Sequence, residues 1–144
     1  MTKTIQEKMR HPAKPEVKVL SEPRGSNFPA GKMLIATPVV IDSAVRQIAK
    51  GETVTVTELR KMLAEQFGAD YTCPLTTGLF LRIVAENAEQ ERSEGKVDVA
   101  PYWRVTQADR SMNPRFPGGA EAQAFWLRQE GHRLVSKGKK ISLV

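Results

Sequence analysis

Cysteine is nearly absent from this 144-residue chain: Cys73 stands alone. One thiol excludes an intrachain disulfide and a cysteine-rich metal cluster. Histidine is almost as scarce, with only His11 and His132. No Cys/His spacing suits a metal, so neither a metal nor a cofactor is expected. No apolar run approaches the roughly 18 residues that a membrane span needs. The opening "MTKTIQEKMRHPAKPEVKVL" has no apolar core of the secretory kind. No membrane partner is expected, and the cytoplasm is the default location. Gly118-Gly119 alone is no phosphate-binding motif and reads as the start of a helix. Aromatics are only 6% of the residues, so the adjacent pair Tyr102-Trp103 stands out.

Positive charge is not scarce, but it is unevenly placed. Residues 1–31 carry six Lys/Arg against three acids, residues 32–100 eight against ten, and residues 101–144 eight against three. A polyanionic partner would therefore meet the C-terminal third, joined by the N-terminal arm.

Prolines at 12, 15, 23 and 29 and the string "RGSN" break up residues 1–31. That segment reads as an irregular basic arm, with "EVKVL" at 16–20 as a candidate short strand. Residues 32–144 read as one domain, starting near Lys32. Thr37-Pro38 opens a helix whose face is Val40, Ile41, Ala44, Val45 and Ile48, with Gly51 as its stop. Thr55-x-x-Glu58 forms a capping box before a second helix, with Leu59, Met62, Leu63 and Phe67 on one face and Gly68 at its end. A third helix runs from Pro74 to about Glu94. The short turn between the second and third helices predicts a helix-turn-helix. Residues 97–107 read as an extended loop or irregular strand. A fourth helix follows Gly118-Gly119 and stops at Gly131. The segment "HRLVSKGKKISLV" reads as a small hairpin around Lys137-Gly138 or as a basic tail. The predicted fold class is mainly α, a winged helix-turn-helix-like domain with an irregular N-terminal arm.

The string Pro101-Tyr102-Trp103-Arg104-Val105, then Pro117-Gly118-Gly119, then Glu130-Gly131-His132, resembles the C-terminal domain of the O6-alkylguanine-DNA alkyltransferases. Their motif is Pro-Cys-His-Arg-Val, followed by a glycine-rich turn and a helix ending in Glu-Gly-His. "GETVTVTELRKMLA" is similar to that family's lead into its helix-turn-helix, and the resemblance covers about residues 38–134. It implies an alkyltransferase-type winged helix-turn-helix. The departures imply loss of chemistry. Tyr102 stands where the family has its acceptor cysteine, and Trp103 where it has the activating histidine. Glu130 matches the family's glutamate without that histidine. The family's phosphate-rotating tyrosine falls on Val56. No arginine stands near Leu75 to Thr77, where the family places a finger, and Asn87 is the candidate asparagine hinge. A phenol of ordinary pKa with no neighbouring base is a poor nucleophile. In these departures the chain resembles the alkyltransferase-like proteins, which bind alkylated guanine without repairing it and pass the lesion to other machinery.

The resemblance implies a non-enzyme that binds DNA, with O6-alkylguanine or flipped bases as candidate ligands and a repair protein as candidate partner. Tyr102, Trp103, Arg104, Gly118, Gly119 and Glu130 are the base-pocket candidates. The two rings would give a flipped base a stacking wall. Thr76, Thr77, Arg82, Arg128, Arg133, Lys137, Lys139 and Lys140 are the candidate DNA-backbone contacts. Against this, the third helix carries Arg82 and Arg92 but also Glu86, Glu89, Glu91 and Glu94. Such an acidic helix suits a rival reading, a protein-interaction module that kept the fold and lost DNA. Cys73, next to a helix start and far in sequence from either histidine, reads as a small buried residue rather than a nucleophile.

Overall fold

The computed structural model describes residues 3–144. Five helices and three small sheets surround one main core. The caps expected from sequence are where the second and third helices begin. Helix α2 (Pro38–Arg46) opens with the Thr37 hydroxyl accepting from the Val40 N–H. It ends at Arg46, short of Gly51. Helix α3 (Val56–Gln66) carries the reciprocal Thr55–Glu58 capping box. Such caps satisfy the free N–H groups of a first turn and each contribute about 1 kcal/mol. The chain leaves α3 through Gly68, whose φ of 67° lies in the left-handed region that favours glycine. It then runs through β4 (Tyr71–Thr72) into helix α4 (Pro74–Ser93).

The arm departs from its sequence reading. It is not irregular: a short helix α1 (Ile5–Met9) and a strand β1 (Glu16–Leu20) occupy it. The strand falls on the "EVKVL" segment. It pairs antiparallel with β2 (Gly31–Ile35), Glu16 opposite Ile35 and Leu20 opposite Gly31. β2 in turn pairs parallel with β4. The strand is the one expected at 16–20, but local pattern gave no sign of α1, which buries no residue. Partners distant in sequence hold both of them: α4 and α2 for α1, and β2 for β1.

The core gathers Leu34, Ile41, Val45, Leu59, Leu63, Phe80, Val84 and Leu127 around Tyr102 and Trp103. Residues 97–107, expected to be extended, include a 3-10 turn at Tyr102–Arg104. The strand β5 (Val105–Thr106) follows and pairs parallel with β3 (Val54–Thr55). Helix α5 (Gly119–Gln129) comes next, then the hairpin β6 (Leu134–Lys137) and β7 (Lys140–Leu143). The hairpin docks on the preceding loop: the Met112 N–H donates to the Ile141 carbonyl and the Leu143 N–H to the Arg110 carbonyl. No helix among the described residues is long and apolar enough to cross a membrane.

Candidate nucleic-acid interface

The centre of the expected reading pocket is packed shut. Tyr102 is 1% exposed and Trp103 7%. The Tyr102 ring meets Trp103 and Phe116 edge-on, with centroids 5.4 and 5.1 Å away. Its hydroxyl donates to Glu89 Oε2 at 2.6 Å. Burial, then the Glu89 carboxylate, pushes the Tyr102 phenol well above the ordinary tyrosine range. Trp103 stacks on Trp126 at 5.3 Å, and the Arg92 guanidinium lies over both rings, 4.0 Å from the Trp126 centroid. Glu89 holds Arg92 in that position at 3.2 and 3.4 Å. The acidic half of α4 is therefore only partly a solvated face, because Glu89 turns inward to this cluster.

Arg104 and Glu130 form a second inward pair. Arg104 Nε and Nη2 reach the carboxylate at 3.0 and 2.6 Å, and Nη1 donates to the Ile48 carbonyl at 2.7 Å. The fork ties the segment to the end of α2 and the end of α5. Burial raises the Glu130 carboxyl, but the Arg104 guanidinium outweighs it and holds Glu130 below the ordinary glutamate range. Gly118 and Gly119 have φ of 78° and 74°. A Cβ on Gly118 would meet the Ala122 Cβ at 2.6 Å. The pair turns the chain into α5 and faces no ligand space.

Sequence reasoning missed Gln123, which completes the seal. It is 1% exposed. Its amide donates to the carbonyls of Trp103 (3.1 Å) and Val105 (2.8 Å) and accepts from the Asn113 N–H (2.7 Å). The backbone groups that would read a base edge are thus already used. The signal was there: a glutamine beside Ala124 and Leu127 on the apolar stripe of α5 needs internal partners. Neither Tyr102 nor Trp103 lines any of the five main concavities. Of the six base-pocket candidates, Tyr102 and Trp103 are buried and Arg104 and Glu130 pair beside them, while Gly118 is exposed and Gly119 half-buried.

The backbone candidates divide. Thr77 is fully buried and donates to the Cys73 carbonyl at 2.7 Å, so it cannot meet a phosphate. The Thr76 hydroxyl is enclosed without a partner. Cys73 is buried. Arg82 is exposed and paired with Glu86 at 3.1 Å. Arg128 and Arg133 are exposed near the end of α5. Lys137 and Lys139 stand at the tip of the hairpin, while Lys140 is bound to Asp109. Lys140 and the Ser111 hydroxyl and N–H hold the Asp109 carboxyl far below its usual range.

That bound aspartate clamps a turn whose tip is Arg110, a residue absent from the sequence reading. Arg110 has φ of 68°, the only positive value for a non-glycine among the described residues. Its charge helps lower the Glu58 carboxyl, after the two bonds from Thr55. Strand β5, which leads into this turn, packs on α3. Beside α3 and the start of α4 lies a concavity of about 440 Å³, lined by Arg60, Lys61, Asp70, Tyr71 and Pro74 among others. The start of α4 is open to solvent, with Leu75 72% exposed and Gly78 exposed. Among the described residues no group of His, Cys, Asp or Glu is placed to hold a metal.

Neither a protein-family model nor a curated protein matches the chain. Among solved structures it is similar to S. pombe Atl1 in a crystal complex with damaged DNA containing O6-carboxymethylguanine. The identity is 17%, the alignment covers 74% of this chain and 87% of that one, and the TM-score is 0.51. At that identity the likeness is one of fold alone.

Proposed function

We propose that the chain is a non-catalytic DNA-binding protein that grips duplex phosphates and does not hold a base between Tyr102 and Trp103. The carrying observation is the fold shared with a protein solved on damaged DNA, together with an exposed positive tract at Arg128, Arg133, Lys137 and Lys139. In this reading the hairpin tip with Lys137 and Lys139 and the clamped Arg110 serve as the wing. Arg128 and Arg133 extend the positive surface. Phosphate contacts would position the protein, and the closed cluster leaves little for reading a modified base. The loss of chemistry follows from the phenol: a buried tyrosine whose proton is held by a carboxylate is a weak nucleophile. A repair protein remains the partner class that the resemblance suggests.

The test is a salt-dependent titration of plain duplex and of duplex carrying O6-methylguanine. Both should bind equally, with affinity falling as salt rises. A preference for the modified duplex would require a base site outside the Tyr102 cluster. No salt-dependent binding to either would favour a protein-interaction module. That second reading has its own observation: Leu75, at the open start of α4, is an apolar side chain where a phosphate contact gains nothing.

A further inference from the structure

Helix α1 lies along α4 and leaves a groove of about 410 Å³ between them. Lys3, Lys8 and His11 line one wall. Leu79 and Ile83 of α4 give an apolar floor, with Leu79 56% exposed, and Arg82 completes the far rim. The one acid in the lining, Glu86, is already bonded to Arg82. Among the described residues, Lys3, Lys8 and His11 have no carboxylate within ion-pair distance. The N-terminal segment thus presents the unmatched lysines Lys3 and Lys8 beside an apolar strip of α4.

We propose that this groove binds a single-stranded nucleic-acid segment, with phosphates on Lys3, Lys8 and His11 and a base against Leu79 and Ile83. The two-part lining argues for this ligand. A simple inorganic anion would use the cations and leave the floor wet. A purely apolar segment would strand the charges. A nucleotide carries a charged and a flat apolar part joined at short range, which matches lysines set beside an aliphatic strip, and phosphate contact with the lysines makes such binding salt-dependent. Leu79 also lies one helical turn beyond Leu75, so a strand leaving the open start of α4 has a continuous path into the groove. The inference rests on the DNA-binding reading only in taking the ligand to be nucleic acid. It assigns a second surface, lined by the N-terminal segment and the middle of α4.

The experiment uses the full chain and fluorescence anisotropy with a labelled short oligodeoxythymidine, beside a duplex of equal length. Replacing Lys3, Lys8 and His11 together with Ala should weaken oligodeoxythymidine binding by about tenfold or more and flatten its salt slope. Leu79→Ser, at an exposed position that does not endanger the fold, should weaken it with the slope unchanged. Duplex affinity should hold for Leu79→Ser. If both variants bind the single strand like the parent, the proposal is overturned, even where duplex binding is intact. Equal competition by a polyglutamate peptide or by pyrophosphate would also overturn it, as a general anion site. Groove-dependent single-strand binding without any duplex affinity would sustain the groove and overturn the duplex reading instead.

Discussion

The Tyr102 hydroxyl donates to Glu89 Oε2 at 2.6 Å, bridging the 3-10 turn to α4 across the position where a reading pocket was expected. Tyr102→Phe removes the donor and leaves a half-buried carboxylate with one partner fewer. The expected loss is about 1–3 kcal/mol near neutral pH, by chemical denaturation. The pH dependence has a definite sign. Folding raises the Tyr102 phenol above its unfolded value near 10. Its contribution is whole below that pH and is lost as pH rises above it. Burial also raises the phenol of Tyr71, so the comparison of parent with Tyr102→Phe isolates the effect. The parent should lose stability faster than the variant above about pH 10.

The same bond governs reactivity. Incubation with duplex carrying O6-methylguanine should leave the protein mass unchanged. A gain of one methyl group on any residue, seen by mass spectrometry, would end the non-catalytic assignment.

Trp103→Ala should cost about 3–5 kcal/mol, the usual range for truncating a buried tryptophan. It removes the stack on Trp126 and one face of the Arg92 contact. The ratio of affinities for modified and plain duplex should not move. A folded variant that altered that ratio would show that the ring reads bases after all.

Gln123→Leu keeps the volume and removes three hydrogen bonds to the backbone. The stranded groups at Trp103, Val105 and Asn113 should cost about 3 kcal/mol or more in a thermal or denaturant melt. A loss as small as that of a surface substitution would mean that water replaces the amide, and hence that the cluster is open.

Lys137→Gln with Lys139→Gln should flatten the salt dependence of duplex binding, regardless of sequence. The slope should fall by up to about 0.9 for each phosphate that is no longer neutralised. Lys140→Gln should do less to the slope, since Asp109 already holds that ammonium. An unchanged slope in the double variant would put the duplex on another face.

Much of the helical frame was legible because its signals are local. Thr37-Pro38, Thr55 with Glu58, and the apolar stripes of α2 and α3 announce themselves within a few residues. The turn at Lys137-Gly138 did so too, with Gly138 at φ 62°. In the arm the strand at 16–20 was legible, while α1 was not, because its support comes from α4. The packing around Tyr102 was hidden for the same reason. Whether Tyr102 faces a cavity depends on Glu89 and Phe116, which no local pattern joins to it. Arg110 escaped notice because its unusual backbone is set by the Asp109 clamp, a tertiary arrangement.

Strand β1 has one more consequence, for solubility. It alone covers the outer edge of β2, whose Met33 and Leu34 are buried and whose single charge is Lys32. β1 is itself a well-guarded edge, alternating Glu16 and Lys18 with valines, with Pro15 before it and Pro23 shortly after. Cutting the chain just after Leu20 would exchange that guarded edge for an apolar one with open N–H and C=O groups. Such an edge recruits strands from neighbouring molecules. Strand β1 thus shields an edge whose exposure would favour self-association.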